Sequence, residues 1–144
     1  MKRGFSLIEV LVFISVASVF FITAISVGTY TLKNMKQDEY KLRATRYAEE
    51  LNEWLRGEKE KDWDVFYGYA NNNTYCFNST SLSFPAVPGN NPCSANDFSL
   101  EGLFKRSMIL SQSGNTVITK INVSWNEGGN TFTVPLNTVY SLYQ

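Results

Sequence analysis

Phe5-Ser6-Leu7-Ile8-Glu9-Val10-Leu11-Val12 opens an apolar stretch that continues to Leu32, and the rest of the chain is read outward from it. Within that stretch Glu9 is the only side chain charged at neutral pH. About 20 apolar residues let a helix cross a hydrocarbon core about 30 Å thick, and residues 5–32 exceed that length. A single segment in lipid must satisfy its own backbone, so the stretch is expected to be helical despite its many valines and isoleucines. Upstream, Met1-Lys2-Arg3-Gly4 is short and basic, which favours a cytoplasmic N-terminus and places everything after Leu32 outside. A secretory signal peptide is the plainer alternative. Its apolar run spans only about 7 to 15 residues before a small-residue cleavage site, whereas Ala17 and Ala24 here lie inside a longer run.

A carboxylate in such a helix costs about 2.5–3.5 kcal/mol at mid-membrane and less near the interface. A plain membrane anchor leaves Glu9 unexplained. If the chain is cut after Gly4, Phe5 becomes a cationic amino terminus about 6 Å along the helix axis from Glu9. The two charges can neutralise each other within one subunit. Between axially shifted neighbours they do so only when the subunits stack in register.

The run Lys2-Arg3-Gly4-Phe5-Ser6-Leu7-Ile8-Glu9-Val10 resembles the prepilin motif of type IV pilins and type II secretion pseudopilins. That resemblance implies a membrane prepilin peptidase that cuts between Gly4 and Phe5 and methylates the new Phe5 amine. It implies that Glu9 sets filament register. The implied partners are other pilin subunits, the peptidase/methyltransferase, an inner-membrane assembly platform, and the membrane itself before assembly. The implied location is the inner membrane, single-pass with the N-terminus in the cytoplasm, and then an extracytoplasmic pilus or pseudopilus. Many major pilins carry a proline in the apolar helix; none lies between Phe5 and Leu32, so a continuous helix is expected. The stretch from Ala48-Glu49-Glu50 to Trp63-Asp64 is similar to minor pilins of the type IV pilus modification protein group, which favours a minor subunit over a major one.

Beyond Leu32 the pattern turns amphipathic. Ala44, Tyr47, Ala48, Leu51, Trp54 and Leu55 recur at three- and four-residue steps and share one face, while Lys41, Arg43, Arg46, Glu49, Glu50 and Glu53 occupy the other. This predicts one helix from Phe5 to about Arg56, with Gly57 as its left-handed cap. The alternating charges of Glu58 to Asp64, with Trp63 among them, read as a solvated turn with an aromatic anchor.

From Asn71 to Asp97 the Asn-, Pro- and Gly-rich composition reads as loop. Cys76 and Cys93 lie in it, and in an oxidising compartment they would most simply pair, stapling the loop 76–93; two free buried thiols are the alternative. Leu103 to Leu110, Thr116 to Trp125 and Thr131 to Tyr143 read as strands. In the middle one Val117, Thr119, Ile121, Val123 and Trp125 share a face, and Ile118 is the exception on the other. Gln112 to Asn115 and Asn126 to Asn130 are turn clusters, and Pro135 marks an edge or a break. An antiparallel meander would cover the helix stripe. The organisation is then a cleaved leader (1–4), a long helix (5–57, with 5–32 in the membrane or filament core and 33–57 amphipathic) and a globular head (58–144). This is the α+β, pilin-like fold class that the resemblance implies: a long N-terminal helix whose second half packs on a C-terminal antiparallel sheet.

The function classes narrow accordingly. Charges balance, with 13 Lys and Arg against 13 Asp and Glu, so nothing global argues for nucleic acid, and Lys105-Arg106 is too small a basic patch. With no histidine and only two cysteines, an ordinary zinc site or a Ser–His or Cys–His nucleophile cannot be built. No catalytic residue, cofactor or metal site is assigned. A membrane-tethered enzyme would have only carboxylates such as Asp64, Asp97, Glu101 and Glu127, and Asp97, Glu101 and Glu127 are the candidates for a calcium site without EF-hand spacing. Asn72, Asn78 and Asn122 head glycosylation-type sequons. The leading reading is a structural filament subunit. A pilus-tip adhesin or DNA-uptake component is the alternative, with Trp63, Phe66, Tyr67, Tyr69, Tyr75 and Phe77 as its candidate surface or, more simply, as core.

Overall fold

The computed structural model describes residues 6–143. Its order is α1 (Leu7–Lys61), α2 (Trp63–Gly68), β1 (Asn71–Cys76), β2 (Phe104–Ser113), β3 (Thr116–Glu127) and β4 (Asn130–Ser141). Two compact units divide the chain, one ending at Tyr40 and one beginning at Lys41. The described part of the first is helix from Leu7 onward. In the second, the strands pair antiparallel in the order β1-β2-β3-β4 and the later part of α1 lies under the sheet. The α+β arrangement expected from the sequence is the one present.

The core of the second unit follows from the two periodicities. Ala44, Ala48, Leu51 and Leu55 are buried at helical spacing. Against them lie Phe104, Met108 and Leu110 of β2, and Val117, Ile121, Val123 and Trp125 of β3, at alternate positions. Asn52 joins the helix to β4: Thr138 donates to its Oδ1 at 2.7 Å, and the Tyr140 hydroxyl lies 2.7 Å from the same atom. Gly114 (φ 59°) opens the β2–β3 turn, and Gly128 and Gly129 (φ 58° and 81°) form the β3–β4 turn. Left-handed backbone of this kind is what tight hairpins demand and glycine adopts most easily. Pro135 stands opposite Asn122 within β4, at the sheet edge, where a missing N–H costs no ladder bond.

Three expectations are corrected. Gly57 does not cap α1. Glu58 to Lys61 are good helix formers, Arg56–Glu60 and Lys61–Glu58 pair at 3.6 and 2.6 Å, and Lys59 continues the buried stripe one turn past Leu55. Second, the expected solvated turn at 58–64 is the end of α1 followed by α2. Asp62 separates them in extended conformation (φ −158°), its side chain accepting from the Val65 N–H at 3.0 Å. Third, Asn71–Cys76 is a strand rather than loop. Pairing with β2 satisfies its backbone, and the asparagine signal is absorbed in a bulge between Asn71 and Asn73, with Asn72 at φ 59°.

The remainder, from Phe77 to Ser99, is irregular. Cys76 and Cys93 are joined in a disulfide that fastens its far side to the end of β1. Closing a loop of this size stabilises a fold by about 3 kcal/mol on the chain-entropy account. Leu51→Ala, at a fully buried position, is predicted to lower unfolding stability by about 2–5 kcal/mol. Leu42→Ala, on an exposed side chain, should change it by no more than about 0.5 kcal/mol. Urea unfolding of the detergent-solubilised protein, followed by tryptophan fluorescence, measures both, and equal losses would contradict the packing described.

Candidate functional site

The first unit exposes its apolar side chains on every side. Leu7 is 82% exposed, and Phe13, Phe20, Phe21, Ile22, Ile25 and Val27 all exceed 60%. An 18-residue window reaches a mean hydropathy of 2.6 with none of it buried, so length and composition suffice to cross a membrane. The serine and threonine hydroxyls of this helix turn inward on their own backbone. Ser15 donates to the Leu11 carbonyl at 2.9 Å, Ser18 to Ile14 at 2.7 Å, and Ser26 to Ile22 at 2.9 Å. Thr23, Thr29 and Thr31 bond the preceding turn in the same way. Such bonds let a hydroxyl sit in an apolar surrounding without an external partner. Glu9 is different. It lies exposed in the first turn of α1, where the helix dipole favours an anion, and no cation pairs with it among the described residues. Gly4 and Phe5, the expected cleavage and methylation positions, lie outside the described residues.

The other residues singled out in the sequence sort into structural roles. Phe66, Tyr75 and Phe77 are buried, and Tyr69 stacks on Phe84 at 4.1 Å while its hydroxyl donates to the Pro85 carbonyl at 2.8 Å. With Trp54 5.0 Å from Phe84 and 5.4 Å from Phe77, these rings pin the irregular segment onto α1. Asp97 sits beside the disulfide, whose sulfurs are not free to bind a cation, and Glu101 meets Arg43 at 3.9 Å. Asp64, Asp97, Glu101 and Glu127 form no cation-binding group with one another among the described residues. Asn78 is fully engaged, accepting from the Arg106 N–H at 2.7 Å and donating to the Asp97 carbonyl at 2.8 Å. Asn122 lies mid-strand, and Asn72 is exposed at the β1 bulge.

Arg106 is the residue whose role the sequence reading missed. Its side chain is 0% exposed, yet it occupies an apolar-face position of β2, between Phe104 and Met108. Nε donates to the Phe77 carbonyl at 2.9 Å, one terminal nitrogen to the Tyr47 carbonyl and to Glu50, each at 3.0 Å, and the other to the Ser79 carbonyl at 3.2 Å. One guanidinium thus ties the helix, the sheet and the irregular segment together. Burial presses its pKa down, and the Glu50 carboxylate opposes that shift. Above it a cleft of about 560 Å³ is lined by Arg43, Arg46, Tyr47, Glu50 and Glu101. Burial and the Glu101 carboxylate push the Tyr47 hydroxyl up to about 12, so it remains a hydrogen-bond donor. The available signal was a charged residue placed in phase with Phe104, Met108 and Leu110, which an alternating strand hides only if it is bonded.

Arg106→Met is predicted to cost about 3 kcal/mol or more, because several carbonyls and a carboxylate lose their partner at once. Glu50→Gln, on a half-exposed carboxylate, should cost under about 1 kcal/mol. Urea unfolding reads both; comparable losses would contradict the central role of Arg106. Asp97 supplies a pH signature. Hydrogen bonding from Ser99 holds its carboxyl below the ordinary value, with Asn78 and Lys105 adding to this. The stabilisation is therefore present above about pH 4 and fades as pH falls through the folded value. Wild type should lose stability more steeply than Asp97→Asn below about pH 4, with parallel slopes between pH 5 and 7. Compared with protein families, curated proteins and solved structures, the chain matches none.

Proposed function

We propose that this chain is a structural subunit of a type IV pilus or type II secretion-like filament, made as a membrane-held precursor. In this reading a peptidase cuts after Gly4 and the amine of Phe5 is methylated. The helix waits in the inner membrane with its N-terminus in the cytoplasm, and then moves into an extracytoplasmic polymer. The observation that carries the reading is Glu9: a lone carboxylate on the stretch of α1 from Leu7 to Leu32, whose surface is otherwise apolar and whose hydroxyls satisfy themselves. An intramembrane carboxylate is costly and needs a partner. The amine of a neighbouring copy, four residues upstream in sequence, is the partner that gives assembly a register.

Polymerisation also answers the exposed apolar surface. Helices packed side by side exchange lipid contact for contact with one another, so the same surface serves storage and assembly. The head contributes a rigid body rather than chemistry: its carboxylates are dispersed or bonded, and its aromatic residues hold the irregular segment. The proline-free apolar helix and the similarity of 48–64 to minor pilins favour a minor subunit. Glu9→Ala is predicted to insert into the membrane as wild type does, while its share in sheared filaments falls by about tenfold or more, since an unpaired amine is left buried. Immunoblots of membrane and filament fractions measure both quantities. Equal incorporation of mutant and wild type would refute the register role.

A further inference from the structure

Around the amphipathic part of α1, the buried stripe Ala44, Ala48, Leu51, Leu55 and Lys59 has an exact counterpart in an exposed stripe on the far side. That stripe is Leu42, Arg46, Glu49, Glu53, Arg56 and Glu60, and every member is exposed. Its charges are poorly matched within the chain. Arg56 pairs with Glu60 at 3.6 Å, but Arg46, Glu49 and Glu53 have no ion-pair partner among the described residues. Glu50, one turn beyond Arg46, is bound to Arg106 at 3.0 Å. Glu49 and Glu53 stand one turn apart and repel each other. Arg46, exposed at the rim of the cleft above Arg106, thus sits one turn below Glu49 and two turns below Glu53, and neither carboxylate has an ion-pair partner among the described residues.

We infer that this outward face is a second register surface for another copy of the same chain, with Arg46 of one copy meeting Glu49 and Glu53 of the next. The inference rests on the filament reading proposed above and names the contact that reading leaves open. Pairing Arg46 with Glu49 or Glu53 demands that two parallel copies shift by three or seven residues, about 5 or 10 Å along the axis. Two copies at the same level set like charges side by side. Charge complementarity of this kind fixes register and penalises wrong alignments more than it adds affinity.

Charge reversal tests the pairing in the full-length protein, in cells that make the filament. Arg46→Glu alone, and Glu49→Arg with Glu53→Arg, should each reduce the filament-incorporated share by about tenfold. The combination of all three changes should restore most of it. The membrane-held level and the Cys76–Cys93 bridge, read as gel mobility without reductant, report whether each variant folds. Normal incorporation of either reversal, or failure of the folded combination to recover, overturns the pairing and leaves the filament reading standing. Wild-type protein that never leaves the membrane fraction overturns the filament reading and the pairing with it.

Discussion

A helix that presents apolar side chains all around has no favourable place in water, and that constraint governs α1 from Leu7 to Leu32. Nothing within the described chain covers Leu7 to Leu32. The covering must come from lipid, from other helices, or from each in turn. Self-bonded hydroxyls make the surface compatible with either, because they ask nothing of the surroundings. Glu9 does ask. In the proposed reading it converts a featureless apolar contact, which would tolerate any axial slip, into one with a preferred position.

The head solves a separate problem. A four-stranded sheet with one apolar face needs a partner, and the stripe from Ala44 to Lys59 provides it. The segment from Phe77 to Ser99 has little regular structure with which to hold itself. Three devices compensate: the disulfide, the aromatic cluster around Phe84, and the guanidinium of Arg106. They are chemically independent, so loss of one leaves a partly anchored segment rather than a free one. Arg106 is the most central because it also reaches the helix through Tyr47 and Glu50.

Much of this architecture was legible from periodicity. The stripe of Ala44, Ala48, Leu51 and Leu55 and the alternation from Val117 to Trp125 reflect burial directly, and both appear where the spacing places them. Glycine in the two hairpin turns was equally readable. What escaped depended on partners far away in sequence. The Asn-rich stretch of β1 has the composition of a turn and becomes a strand because β2 offers a free edge. Gly57 carries a stop signal that its charged, helix-favouring neighbours override. Arg106 looked like surface because charged residues are almost never buried unless paired, and its acceptors come from two segments distant in sequence, α1 and the irregular segment. Of the candidate site, the isolation of Glu9 within an apolar run could be read directly, whereas the unmatched charges of the outward helix face required knowing that Glu50 is taken by Arg106.

In the proposed reading the protein works with a new amino terminus next to a carboxylate. Mass spectrometry of the protein recovered from its working location tests it most directly. The expected product is a chain that begins at Phe5, with one added methyl group on its amine. A chain that still carries Met1 to Gly4 would contradict it, because Glu9 would then lack the ammonium that gives its position meaning.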